Sequence, residues 1–376
     1  MVTRPTIKDV ALAAGVSKSA VSFALNNKPG VAADTRDRIL RVAAELGWTP
    51  SSRARALSVS RSLAVGMVMA RPPETLRADP FFPSFIAGVE TVLSERGQAL
   101  VLQVVPDHED EQQSYRNLTD AGRVDGVFVT DLFVDDVRPA LLAELGLPAV
   151  IVGPALGEPF WPAVGVDDAP GIIAAVEHLV SLGHTNIAHV SGPTFMVHGH
   201  SRRQAWATAL ERAGLRQGAC IEADFSAESG AAATRTLLDL DDPPTAIVYA
   251  NDLMAMAGMS LAIARGLDVP GELSVTGYDD TEIAAHLQPS LTTVSSDVIE
   301  WGAAAAIRLL QLIDDEPATD IALPPARLVV RRSTGPARRS APTRTRTSTR
   351  TRTSTHKAAP AQRKRPITER RRMEKQ

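Results

Sequence analysis

The chain of 376 residues has one cysteine, Cys220, which rules out an internal disulfide and suits a reducing compartment. Aromatic residues make up only 4% of it, so its core must be mainly aliphatic. No run approaches about 18 consecutive apolar residues, which leaves no candidate membrane span. The segment before Pro29 lacks the apolar centre of an export signal, because charge and Ser interrupt Ile7 to Leu25. The cytoplasm is the expected location. Catalytic signatures are missing as well: there is no HExxH, GxSxG, Walker loop or CxxC. His184 and His189 are five apart across a loop and a strand, a poor metal geometry. Asp167-Asp168 and Asp279-Asp280 point to opposite sides if extended. Neither an enzyme nor a bound cofactor or metal is expected.

What is present is length, aliphatic content and an uneven charge. At 44% hydrophobic, the chain can bury a sizeable core, and its length suits two or three domains. The net charge of −3 conceals a head (1–62) of net +6, a body (63–336) of net −21 and a tail (337–376) of net +12. A polyanion would meet the ends and be repelled by the middle.

The head reads as three helices. Ile7, Val10 and Ala11 share one face of a helix over Ile7–Ala14. Gly15-Val16 turns the chain, and Ser17 is an N-cap for a second helix to Leu25, with Val21, Ala24 and Leu25 inward. Asn26 to Gly30 is a loop. A third helix runs over 33–46, with Ile39, Val42, Ala43 and Leu46 inward and Asp34 and Asp37 near its positive end. This is a helix-turn-helix. Residues 50–61 are too short to stay helical alone and read as a hinge that orders on binding.

From Leu63 the pattern changes. Apolar runs at 63–70, 100–105, 126–130, 149–152, 187–191, 246–249 and 273–277 read as strands. Helical stretches such as 85–96, 171–182, 203–213 and 254–264 lie between them. Such alternation implies α/β lobes with parallel sheets covered on both faces, two of them by strand count, with ligands at the strand C-termini. The tail repeats RTRTST at 344–349 and 350–355 without apolar periodicity, and reads as disordered.

TIKDVA at 6–11, AGVS at 14–17 and VSFALN at 21–26, followed by Pro50 and Leu57, resemble the lactose/galactose repressor (LacI/GalR) family of bacterial transcription regulators. DPFF at 79–82, EHL at 177–179, GH at 183–184, YAND at 249–252, VP at 269–270, GYDD at 277–280 and LTTV at 291–294 extend the resemblance over residues 6–335. It implies an α/β protein with a headpiece (1–49), a hinge helix (50–61), and a two-lobed periplasmic-binding-protein-like domain for ligand and dimerisation (62–336). The basic tail (337–376) departs from the family pattern; without leucine heptads it favours a homodimer over a tetramer.

The resemblance further implies double-stranded operator DNA as a partner, contacted by Thr6, Ser17, Lys18, Ser19, Ser22, Phe23, Asn26, Arg53, Ala54 and Leu57. Lys18 suits guanine O6 and N7, Ser17 and Ser22 suit phosphate, and Phe23 suits a thymine methyl or packing on the third helix. Leu57 matches the hinge leucine that wedges into the minor groove. Ala20 stands where the family usually has Thr, and Ala32 replaces the cap of the third helix at a cost of roughly 1 kcal/mol. Arg202, Asn251, Asp279 and Phe82 match ligand-contacting positions. A guanidinium, an amide and a carboxylate suit a polyhydroxylated molecule, so a carbohydrate is the expected effector. Asn251 also reads as a helix cap and Asp279 as a surface turn; Arg71 and Trp161 are further cleft candidates. The readings to separate are a ligand-responsive repressor, a transporter's solute-binding protein and a sugar-metabolising enzyme.

Overall fold

A computed structural model describes residues 5–25, 29–48, 61–155 and 160–338. Asn26, Arg53, Ala54, Leu57, the hinge and the tail beyond Arg338 lie outside these residues.

The N-terminal unit is the expected trio of helices, α1 (Ile7–Ala14), α2 (Lys18–Leu25) and α3 (Ala33–Glu45). Asp9 fixes the start of α1 by accepting hydrogen bonds from the Thr6 backbone N–H and hydroxyl. Gly15, at φ 66°, ends it in the left-handed conformation that glycine tolerates. Ser17 Oγ accepts from Ala20 N at 3.1 Å and starts α2. Ala32 caps α3 without a side-chain bond. Val10, Ala14, Val21, Ala24 and Ile39 close the core.

The body has two six-stranded sheets. The first contains β1 (Ala64–Ala70), β2 (Ala99–Val105), β3 (Val127–Val129), β4 (Ala149–Val152), β5 (Ala163–Gly165) and β11 (Ile321–Ala322), in the order β11-β5-β4-β3-β1-β2. The second contains β6 (Ile187–Ser191), β7 (Cys220–Glu222), β8 (Ala246–Tyr249), β9 (Ser274–Tyr278), β10 (Thr292–Ser295) and β12 (Arg327–Val329), in the order β12-β10-β9-β8-β6-β7. Among the described residues the strands of both sheets pair in parallel, apart from β10 with β12, which is antiparallel.

Helices cover both faces of each sheet, which is why the longer strands read as unbroken apolar runs. In the first lobe, α5 (Phe81–Arg96) and α12 (Val298–Ile313) take one face, and α6 (His108–Asp120) and α7 (Arg138–Glu144) the other. A short α4 (Pro73–Ala78) precedes α5. In the second lobe, α8 (Ala169–Ser181) and α9 (Val197–Arg212) oppose α10 (Ala227–Leu238) and α11 (Asp252–Ala264). The chain passes between lobes after β5, after β10 and between β11 and β12. The loop after β3 also meets the start of α9: Val197 N donates to Leu132 O at 2.8 Å, and Val134 N to Phe195 O at 3.0 Å.

The four body helices read from sequence all begin earlier than expected, two of them by a turn or more. α5 starts at Phe81 because Pro83 sits in its first turn, where a missing N–H costs nothing. α9 starts at Val197, so Arg202 lies inside the helix rather than ahead of it.

Candidate nucleic-acid interface and interlobe cleft

Ser17, Lys18 and Ser19 lie exposed at the N-terminal end of α2, the end a recognition helix presents to base edges. Thr6 is exposed at the start of α1, its hydroxyl already donating to Asp9. That bond holds the Asp9 carboxyl below its usual range. Ser22 is half-buried. Phe23 is 42% exposed and outside the headpiece core, with its ring edge beside Gly30.

In the body, the C-terminal ends of both sheets face one cavity of about 600 Å³. Arg202 enters from α9. Its Nε donates to Asp168 at 3.0 Å, Nη1 donates to Ala250 O at 2.8 Å, and its guanidinium lies 3.5 Å over the Tyr278 ring. Asn251 lies two residues beyond β8 and caps α11: Oδ1 accepts from Met254 N, and Nδ2 donates to Phe225 O, both at 2.9 Å. Capping leaves the second amide N–H of Asn251 as a donor at the cavity wall. Asp279 follows β9 at φ 120°, a strained conformation for a residue with a Cβ. Burial, reinforced by the Asp252 charge, pushes its carboxyl well above the usual range. Burial likewise raises Asp252 to about 6, although Thr281 and Thr293 donate to it.

The first lobe contributes a second guanidinium. Arg71 donates from Nε and Nη2 to Asp131, at 2.6 and 2.5 Å, and from Nη1 to Asp79 at 2.7 Å. Burial raises the Asp131 carboxyl, but Arg71 outweighs it and leaves it below its ordinary value. Asp79 stays above its ordinary value, because burial exceeds what Arg71 returns. His198 faces them from α9, and burial with the Arg202 charge drops its imidazole to about 4, leaving it neutral.

Residues 6–51 match the family of bacterial regulatory proteins, lacI family, and residues 176–334 match the periplasmic binding protein-like domain. The HTH-type transcriptional regulator CelR of Thermobifida fusca is 35% identical over 336 residues, covering 88% of this chain and 98% of its own. The chain belongs to the LacI family. It is a DNA-binding transcriptional regulator with a helix-turn-helix head and a periplasmic-binding-protein-like body. A solved CelR–cellobiose complex is 34% identical with a TM-score of 0.68, covering 88% of this chain and 100% of that one. The lac repressor dimer bound to operator and the anti-inducer ONPF is 31% identical with a TM-score of 0.76, covering 89% and 100%.

For a LacI-family body, three of the four expected cleft residues, Arg202, Asn251 and Asp279, line one cavity. Phe82 requires correction: it is buried in the first-lobe core, and its neighbour Phe81 lines the cavity beside Trp301. On a helix, adjacent residues face different ways, so a one-residue slip exchanges wall for core. Trp161 donates to Pro139 O and packs under α7, away from the lining, whereas Arg71 does line the cavity. Both members of the pairs 167–168 and 279–280 line it, because neither pair is extended. Sequence reasoning overlooked Asp79, Asp131, Asp168, His198 and Tyr278. Asp131 follows the C-terminal end of a predicted strand, and that position alone marks it as a candidate.

Proposed function

We propose that this regulator is a homodimeric repressor that binds a near-palindromic operator and is controlled by a small carbohydrate in the interlobe cleft. The observation that carries the ligand reading is the convergence of Arg202, Asn251 and Asp279 on one cavity, each with donor or acceptor capacity left over. Hydroxyls both donate and accept, so a polyol satisfies all three. The cellobiose bound by CelR supports the same class.

On the DNA side, Lys18 and Ser19 reach base edges, Phe23 touches a thymine methyl, and Thr6, Ser17, Ser22, Asn26 and Arg53 hold the backbone. Ala54 and Leu57 enter the minor groove, with Leu57 as the wedge. A ligand acts by binding one lobe arrangement better than the other, which changes hinge spacing across the dimer. Footprinting and gel shift on promoter DNA test this. The expected result is a protected near-palindrome, released by sugar, with Arg202→Ala binding operator but no longer responding. Leu57→Ala is expected to weaken operator far more than random DNA; equal losses on both would remove the wedge. Failure to protect any sequence would exclude the repressor reading.

A further inference from the structure

Both guanidinium groups of the cleft are already neutralised by the protein itself. Arg71 commits three of its five N–H groups to Asp131 and Asp79. Arg202 gives one to Asp168 and one to Ala250 O. Among the described residues, eight carboxyl groups and these two arginines line the cavity; Asp279 is pushed toward its neutral form by burial, the other acids still outnumber the arginines, and His198 is neutral there. The helix N-termini at the cavity, the other attractor of anions, each have an N–H already taken by the protein. Asp79 accepts from Phe81 N at the start of α5, Asp167 from Ala169 N at α8, and Asp297 from Glu300 N at α12. At α11 Asn251 does the same, and at α9 the first N–H goes to Leu132 O across the lobes. A phosphate or carboxylate entering this space meets surplus negative charge and no unpaired cation to offset its lost hydration. A hydroxyl meets the reverse: spare N–H donors on both arginines and carboxylate acceptors beside them.

Size and wall chemistry add a second constraint. The cavity's 600 Å³ equals the liquid share of about twenty waters. A hexose has about a dozen non-hydrogen atoms and leaves much of that wet; a disaccharide has about two dozen and fills it. Rings line both walls, Phe81 edge-on to Trp301 at 5.6 Å in the first lobe and Phe225 stacked on His198 at 5.1 Å in the second. Each wall thus offers carbon-rich surface to the C–H groups of one sugar ring.

We infer that the cleft takes an uncharged disaccharide or larger saccharide and excludes sugar phosphates and sugar acids. This rests on the carbohydrate reading above. In this protein Arg71 acts with Asp79 and Asp131 as a charge-balanced hydroxyl binder rather than as an anion clamp.

The test uses the full chain, reading thermal shift and operator release together. The probes are cellobiose, maltose and lactose, then glucose and galactose, then glucose 6-phosphate and glucuronate. The expected result is that at least one neutral disaccharide raises the melting point and releases operator, while the anions do neither. A second arm frees the Arg71 charge. Asp131→Asn is expected to bind glucose 6-phosphate at least about tenfold tighter than the parent. Asp79→Asn removes only one bond to Arg71 and is the milder variant, with a smaller gain in the same direction. Tighter parent binding of a phosphate, acid or monosaccharide overturns the inference and leaves the carbohydrate repressor standing. No response to any saccharide, with operator binding intact, overturns both. Folded variants without anion gain overturn the charge argument.

Discussion

Asp131, Asp279 and Asp280 line the cavity with positive φ angles of 51°, 120° and 54°. Aspartate tolerates that region better than most residues, and such strain gathers at binding sites. Arg71 and Arg331 hold Asp131 and Asp280 by ion pairs, and the carboxyl of Asp279 accepts from Asp252 N at 3.5 Å. A second residue-scale feature lies deeper. His189 on β6 is fully buried, hydrogen-bonded through Nδ1 to Val248 O at 2.8 Å and stacked on Trp206. Burial drops its imidazole to about 4 from 6.5. Below about pH 6.5 the unfolded chain takes a proton that the folded chain refuses, so stability falls as pH drops toward 4. His198 adds to that loss, while Asp252, raised to about 6, opposes it by keeping its proton when folded. A variant comparison isolates one group. His189→Asn keeps a donor near Val248 O and loses the titration. The stability advantage of the parent over this variant is expected to shrink by about 3 kcal/mol between about pH 7 and about pH 4. Urea unfolding at the two pH values measures it; a constant difference would mean that His189 protonates freely in the folded state. Of the residues around the cleft, those following strand ends were legible in sequence. Arg71 was legible as a cleft candidate, but its pairing with Asp131, 60 residues on, was not, and His198 left no signal of its own.

At the scale of elements, α5 and α12 touch backbone to backbone. A Cβ on Gly88 would meet Ile299 O at 2.0 Å, and one on Gly302 would meet Phe85 O at 2.1 Å. The obstacles are carbonyls of the facing helix, which cannot swing aside. Both helices begin at the cleft, where Phe81 and Trp301 line its wall. Gly88→Ala is expected to cost about 1–3 kcal/mol by forcing the helices apart, and to weaken saccharide binding with it. Thermal unfolding and calorimetric titration read the two effects, and a variant with parent-like values in both would show that the helices separate freely. The same lobe shows why some elements escape a periodicity search. α6 turns Glu111 inward with Tyr115 and Leu118, and the Glu111 carboxylate accepts from Arg138 and the Tyr115 hydroxyl. An acid on the buried face breaks the apolar stripe, and Arg138 is 27 residues away. β10 reads Thr-Thr-Val-Ser, β5 and β7 are three residues each, and β11 is two. Strands this short or polar owe their existence to neighbours already in place. The headpiece helices and the long first-lobe strands carry their own signal in caps and apolar spacing.

At the scale of the whole molecule, charge is divided so that only the ends attract DNA. The body from 63 to 336 carries net −21, and residues 339–376 beyond it carry net +11. The boundary is structural as well: Ala337 N donates to Leu182 O and Gly335 O accepts from His184, so the body extends to that point. Each phosphate neutralised by a lysine or arginine releases counterions, steepening the fall of log K with log salt by about 0.9 per contact. If the tail's cations reach phosphates, a chain ending at Arg338 will show a slope several units shallower than the full chain. Phosphate contacts carry no sequence information, so operator and random DNA are expected to lose the same amount. Leu57→Ala should behave in the opposite way, losing operator affinity at every salt concentration with the slope nearly unchanged, because a wedge displaces no counterions. Anisotropy titrations of both proteins on both DNAs, from about 50 to about 200 mM salt, separate the two contributions. Identical slopes for the full and shortened chains would mean that the acidic body cancels the tail's pull, leaving the headpiece as the molecule's electrostatic contact with DNA.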